Sequence, residues 1–404
     1  MPGQLLAGTR VLEYAQFVSG PYCARLLAGF GAEVIKIEPP EGDLARQRGP
    51  FPHDNPHPER SGLFLYNNVN KLGITLDLQS SEGRDIFRRL ASQVDILIED
   101  TPPGTMQALG LGYDTLKETN PRLIMTSITP FGQTGPYRNY KAYYLNLSHA
   151  SGLGYSTPLD PQVVQREPLR EGGLIGEYDC GTTAAIATLS AVYARIFSGT
   201  GQYIDVSKQE ALLHLQRPEV ALCIGDGETI SRGDTDHVDA LSGLYPCKDG
   251  YIYAVFSEDH HWHALVDLMG NPEWASDEKF STVERRRQLT KEDTHPFLLP
   301  WFAEHTRDEV LHGLQQRRVP LGPIYRVEEV PHTEHMKARR FFVELDHPEA
   351  GRLSYPSAVA KFSQSPVNLK RPAPTLGQHN QDIYGGMLGY SAGELRQLGD
   401  RGII

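Results

Sequence analysis

Residues 9–128 alternate between short apolar runs and segments with helical spacing, and that alternation restricts the fold more than any other feature of the chain. Val11–Tyr14, Glu33–Glu38, Ile74–Leu78, Val94–Glu99 and Arg122–Ile128 read as strands. Between them, Pro21–Phe30 reads as a helix with Pro in its first turn and Gly31 as its stop, and Ser81–Ser92 as another. Strands separated by helices of roughly ten to fifteen residues imply βαβ units, hence an α/β fold around a parallel sheet. Such sheets bind ligands outside the carboxyl ends of their strands. No Gly-x-Gly-x-x-Gly follows a strand and no Gly-x-x-x-x-Gly-Lys-Ser/Thr occurs, which disfavours a simple nicotinamide-dinucleotide enzyme or a P-loop NTPase.

Beyond this region the pattern changes. Residues 182–224 read as helical, interrupted by a turn and short strand at 199–206, and the polar Gly/Asp-rich stretch 225–243 reads as a linker. Gly250–Val255 reads as a strand followed by amphipathic helices at His260–Met269 and Arg307–Arg317, a smaller α+β domain. From about residue 340 the chain is rich in Pro and short extended runs, closing with a brief helix at Ser391–Leu398; such a tail is expected to wrap onto other surfaces. The expected division is 1–224, 225–328 and 329–404.

A formal charge of −11 disfavours nucleic acid as a partner, which would need a basic face. It leaves room for an anionic small ligand at a local cluster such as Lys36, Arg46, Arg48 and Lys71. No apolar run approaches the ~18 residues of a membrane span, and the first residues lack the apolar core of a signal peptide, so a soluble cytoplasmic protein is expected. The four cysteines (Cys23, Cys180, Cys223, Cys247) are widely spaced and read as reduced thiols. His260-His261-Trp262-His263 lacks metal-ligand spacing, and no metal is expected.

The segment Gly172–Gly181 sets Glu177 and Asp179 among glycines, directly ahead of a small-residue helix at Thr182–Phe197. Taken locally this has two readings. It is a helix entry with acidic capping residues, or it is a carboxylate held ionised and aimed near a helix N-terminus, as a nucleophile or general base requires.

The order of short motifs decides between them. Leu6-Ala7-Gly8-Thr9-Arg10-Val11-Leu12-Glu13, Gly31 to Pro39 with Gly42-Asp43 and Arg46, Asn70-Lys71, Gly110-Leu111-Gly112-Tyr113, Phe131 to Pro136, Gly201-Gln202, Val319 to Pro323 and Ala373 to His379 follow one another along the whole chain. In that order they resemble the class III CoA-transferases, the family of formyl-CoA transferase and crotonobetainyl-CoA transferase. The resemblance implies a Rossmann-like large domain built from both ends of the chain, a smaller domain, and two chains interlocked as a dimer. It implies chemistry on coenzyme A thioesters as substrates, with no permanently bound cofactor. In that chemistry an aspartate attacks an acyl-CoA, and a mixed anhydride and an enzyme–CoA thioester carry CoA to another carboxylic acid, with succinyl-CoA as a possible donor.

The family's Gly-Asp-x-x-x-Gly frame reads Gly176-Glu177-Tyr178-Asp179-Cys180-Gly181 here. The resemblance therefore puts Glu177 at the nucleophile position, one methylene and ~1.3 Å longer than Asp, with Asp179 two residues out of register. Three readings follow: Glu177 as nucleophile of an adapted site, a non-catalytic subunit paired with an Asp-bearing homologous chain, or Asp179 as nucleophile after a local shift. Homodimer and heteromer both remain open. The resemblance further assigns Lys36, Arg46 and Lys71 to the CoA phosphates and carries over Lys141 and Tyr143 near CoA. It also sets Asp100, in Glu99-Asp100-Thr101-Pro102-Pro103-Gly104, where the family has a neutral amide lining the CoA groove. An isomerase or racemase acting on a CoA ester is a further alternative; the racemase branch has His where this chain has Tyr143.

Overall fold

Glu13 and Lys36 sit between apolar residues in the middle of two runs, and both runs become strands of one sheet covered on two sides. The computed structural model describes residues 4–155, 157, 167–227, 240–358, 360–367 and 369–404. Strands β1 (Arg10–Tyr14), β2 (Glu33–Glu38), β3 (Leu72–Thr75), β4 (Ile96–Glu99), β5 (Ile124–Thr129) and β6 (Tyr203–Ser207) form a six-stranded sheet in the order β3-β2-β1-β4-β5-β6. Every neighbouring pair is parallel, with Leu12 beside Ile35 and Leu97 at the centre. The order reverses between β1 and β4, which places a ligand crevice beyond the carboxyl ends of those two strands.

Side chains alternate across the strands, so each face owns its core. Leu12, Ile35, Ile37, Ile74 and Leu97 pack on one side against Phe87 and Leu90 of the helix at Ser81–Ala91, and against Tyr384 and Leu398 near the C-terminus. Val11, Val34, Ile96, Ile98 and Ile124 pack on the other against Ala24 and Leu27, and against Ala184, Ala185 and Ala191. The helices of this part are α1 (Ser19–Gly29), α2 (Gly62–Asn68), α3 (Ser81–Ala91), α4 (Thr105–Ala108), α5 (Tyr113–Thr119), α6 (Tyr144–Ala150), α7 (Ile175–Ser198), α8 (Lys208–Leu215) and α9 (Arg217–Asp226). Among the described residues α7 is the one helix long and apolar enough to cross a membrane. Here one side of it packs on α1, α8, β5 and β6, while Ile186, Tyr193, Ile196 and Phe197 on the rest of the helix are exposed.

The chain divides into two compact units. The larger takes the described residues of 1–158, 167–230 and 340–404, and the smaller those of 231–339. The break after Arg339 falls later than the boundary expected at 328, because the 3-10 turn at Val330–His332 and helix α14 (Glu334–Arg339) continue the smaller unit. That unit is an antiparallel sheet of β7 (Gly243–Cys247), β8 (Gly250–Ala254) and β9 (Leu321–Ile324) with helices α10 (Asp259–Leu268), α11 (Val283–Arg286), α12 (Lys291–Ala303) and α13 (Arg307–Gln315). Its core is aromatic: Tyr245, Phe256, Trp262, Phe280 and Phe302.

The tail belongs to the larger unit. A hairpin of β10 (Phe342–His347) and β11 (Gly351–Pro356) puts Tyr355 against Phe64 and Leu65. Farther on, Asn380 accepts from the Thr75 N–H at 3.0 Å and the Tyr384 hydroxyl donates to the Thr75 carbonyl at 2.6 Å, fastening the C-terminal segment to β3 of the same chain. Helix α15 (Ala392–Asp400) starts with a Ser391/Glu394 capping box.

Candidate active site

Helix α7 begins at Ile175 rather than at Thr182, so Glu177 and Asp179 lie inside its first turns and not ahead of it. The glycines are there for packing. A Cβ on Gly176 would lie 2.3 Å from the Tyr144 ring and 2.5 Å from Leu212, and one on Gly181 would lie 2.6 Å from the Ser19 carbonyl oxygen. Only glycine lets α6, α8 and the start of α1 come this close to α7, and Glu177 is held between them. Asp179 is half-buried on another side of the helix; burial and the Glu171 charge push its carboxyl above the usual range.

The Lys208 ammonium lies 2.7 Å from Oε2 of Glu177, and the Ser19 hydroxyl donates to the same oxygen. The two side chains of the ion pair are only 6% and 14% exposed, so water screens the pair poorly. Burial pulls Lys208 down, but the Glu177 charge and hydrogen bond, with Asp100 adding, outweigh it and raise the ammonium above its ordinary value. Ser19 is the first residue of α1, where unpaired backbone N–H groups also favour a carboxylate.

Asp100 faces the same ammonium. Its two carboxyl oxygens accept from the Gln16 N–H at 3.1 and 3.0 Å. Part of its surface is accessible, yet the carboxyl sits deep among protein atoms. Burial pushes it up to about 8 against the opposing pull of Lys208 and Gln16. Cys180, beside Glu177 in sequence, is buried and its thiol is pushed up to about 12 by burial and the Glu177 charge; it fills space and does not ionise near neutrality.

Lys36, Lys71 and Arg46 stand elsewhere than a phosphate site requires. Lys36 is fully buried, 2.8 Å from Asp43 and 3.1 Å from Glu13, and it donates to the Ala15 carbonyl at 2.8 Å. Lys71, equally buried, lies 2.6 Å from the other oxygen of Glu13 and donates to the Pro21 carbonyl and to Asn68. Arg46 is engaged by Glu38 at 2.6 and 2.8 Å and by Glu59 at 2.7 Å, with its guanidinium over the Phe64 ring. All three charges, expected at the CoA phosphates, have carboxylate partners inside the protein. Lys36 supports the loop before α1: it donates to the Ala15 carbonyl, and its partner Asp43 accepts from the Phe17 N–H at 3.0 Å, where the backbone takes φ = 70°. Arg48 of the same cluster is exposed.

Lys141 and Tyr143 are exposed, Tyr143 at 78%, on the segment that leads into α6. They adjoin Tyr144, whose ring packs where Gly176 lacks a side chain, so this loop reaches the vicinity of Glu177. Of the expected Gly/Asp-rich linker 225–243, residues 228–239 with Gly233 and Asp234 lie outside the described residues.

Three residues of this arrangement were missed in the sequence: Ser19, Lys208 and Glu171, which accepts from the Tyr144 hydroxyl at 2.7 Å. A signal for the first two exists. Ser19 follows β1, Asp100 follows β4 and Lys208 follows β6, each just past a carboxyl end.

The chain matches a family model described as CoA-transferase family III over residues 6–380. It is 34% identical to the succinyl-CoA–D-citramalate CoA-transferase of Chloroflexus aurantiacus, across all of this chain and 99% of that one. It is 32% and 31% identical to the alpha and beta subunits of a succinyl-CoA–L-malate CoA-transferase of the same organism, each across 99% of this chain and across 87% and 98% of the respective relatives. Among solved structures it resembles a CAIB/BAIF family protein from Brucella suis, with a TM-score of 0.84 and 30% identity over 94% of this chain and 98% of that one.

Proposed function

The chain belongs to CoA-transferase family III, and from that premise we propose that it moves coenzyme A from a dicarboxylic acyl-CoA donor of the succinyl-CoA kind to an organic acid, with Glu177 as the nucleophile. The observation that carries this reading is a buried carboxylate at the position the family resemblance gives to the nucleophile, with the Lys208 ammonium and the Ser19 hydroxyl both engaging its Oε2.

The cycle closes without a redox partner or a resident cofactor. Oε1 of Glu177 attacks the donor thioester carbonyl, the C–S bond breaks, and a mixed anhydride and CoA thiolate form. The thiolate attacks the Glu177 carbonyl carbon, expelling the donor acid and leaving a Glu177–CoA thioester. The acceptor carboxylate attacks that thioester, giving a second anhydride and thiolate. Attack of the thiolate on the acceptor's acyl carbon then yields the new acyl-CoA and restores the carboxylate. Dividing one exchange into four acyl transfers is covalent catalysis.

In this reading the sheet and its helices are the Rossmann-like large domain, two chains interlock, and the enzyme works in the cytoplasm. Lys141 and Tyr143 supply contacts to CoA from the exposed loop before α6. The alpha and beta subunit names of two relatives favour a second reading, in which this chain works beside a homologous subunit. To test the reading, the purified chain is mixed with succinyl-CoA and a panel of dicarboxylic and hydroxy acids, and new acyl-CoA is followed by mass spectrometry. Transfer by the lone chain that Glu177→Gln abolishes is the expected result. Transfer only after a homologous subunit is added supports the second reading, and transfer unaffected by Glu177→Gln contradicts the first.

A further inference from the structure

Two donors converge on one oxygen of Glu177. Lys208 opens α8 immediately after β6, and Ser207 caps that helix by accepting from the Glu210 N–H at 3.3 Å, so the position of the lysine backbone is set by the strand-to-helix turn. Its ammonium reaches Oε2 at 2.7 Å. Ser19, at the first residue of α1, brings its hydroxyl to the same atom, and α1 is locked against α7 through Gly181. Both hydrogen bonds run to Oε2.

This asymmetry matters once Glu177 carries an acyl group or CoA. If Oε1 makes the bond to the acyl carbon, Oε2 becomes the carbonyl oxygen of the anhydride. In the two steps that attack the glutamyl carbon, by CoA thiolate and by the acceptor carboxylate, negative charge builds on Oε2. Donors fixed about 2.7–3.1 Å from an oxygen that becomes negative are what stabilises such tetrahedral states. Esterification also removes the Glu177 charge, and Asp100 is then the remaining carboxyl facing the ammonium.

Resting on the reading of Glu177 as nucleophile, we propose that Lys208, with the Ser19 hydroxyl, is the oxyanion-stabilising pair for the acyl intermediates formed on Glu177. The assignment gives Lys208 a catalytic contact with the reacting atoms, and it also explains how a side chain one methylene longer than aspartate is held in a single pose.

The test uses the full chain with succinyl-CoA and an accepted acid, comparing Lys208→Met and Ser19→Ala with the unsubstituted protein. Borohydride reduction during turnover, mapped by mass spectrometry, reports the Glu177–CoA thioester. The thioester should trap on Glu177 in the unsubstituted protein. Lys208→Met should lower kcat by about 10²–10³-fold with little change in the KM for acyl-CoA, the loss seen when one oxyanion donor is removed. Ser19→Ala, which leaves the ion pair in place, should lower kcat in the same way by a smaller factor and provides the test should Lys208→Met fail to fold. A folded Lys208→Met or Ser19→Ala protein with unchanged kcat, while Glu177 still traps in the unsubstituted chain, overturns the inference alone. Absence of any Glu177 adduct from the unsubstituted chain overturns the nucleophile reading and this inference with it.

Discussion

Gly181 of α7 and Ser19 of α1 meet so closely that a methyl group on Gly181 would sit 2.6 Å from the Ser19 carbonyl oxygen. Backbone of one helix thus touches backbone position of the other, and the contact sets where the Ser19 hydroxyl meets Glu177. Alanine is favoured over glycine within a helix by about 1 kcal/mol, but here the clash is with main chain and cannot be relieved by a rotamer change. Gly181→Ala should therefore destabilise the protein by roughly 1–3 kcal/mol and lower kcat. Urea denaturation checks the first expectation; a stabilised variant contradicts this account of the helix contact.

Lys36 distinguishes a scaffold from a phosphate site. Methionine there leaves Asp43 without its ammonium partner and strips Glu13 of one of two. Breaking a buried pair of this kind costs about 3–5 kcal/mol, so Lys36→Met should lower the urea midpoint sharply. A variant of undiminished stability whose only defect is a raised KM for acyl-CoA would restore Lys36 as a CoA ligand.

The difference between what was legible in the chain and what was not follows from these residues. The alternation of Val11/Leu12, Val34/Ile35 and Ile96/Leu97 was visible because a parallel sheet buried on both faces needs near-continuous apolar runs. The same logic applies to Lys36: it sits between Ile35 and Ile37 of a central strand, and a lysine buried there must be paired. Glu13 of β1 was its mate in the neighbouring strand. Lys208 could be placed just past the carboxyl end of β6, but its pairing with Glu177 depends on α7 and α8 being brought together through Gly176. The start of α7 was placed too late because Gly176 and Gly181 resemble helix breakers, whereas their missing side chains serve close packing.

Asp100 should leave a mark on stability against pH. Its folded-state value of about 8 lies above the ordinary ~3.9 of an unfolded aspartate. The folded chain then holds a proton that the unfolded chain has released, so this contribution is fully present below about pH 4 and is lost as pH rises towards about 8. Stability of the unsubstituted protein relative to Asp100→Asn should fall between about pH 5 and pH 8. Equal slopes for the two proteins in urea titrations across that interval would show that Asp100 ionises normally.

Shortening Glu177 should be costly even though the family's nucleophile is an aspartate. Glu177→Asp withdraws the carboxylate by ~1.3 Å, away from Lys208 and Ser19, and a displacement of that size can reduce rate ~100-fold. Asp179→Asn, on another side of α7, should leave turnover within a few-fold of the starting protein. Steady-state kinetics on the two variants separates the positions, and the reverse order of sensitivity would make Asp179 the reacting group.

The most direct measurement is the covalent map itself: the chain turning over succinyl-CoA, quenched with borohydride, digested and sequenced by mass spectrometry. Reduction of Glu177 to its alcohol, dependent on acyl-CoA and absent from Glu177→Gln, is the predicted result. Active transfer by the lone chain with Glu177 unmodified, or with the mark on Asp179, would contradict the account.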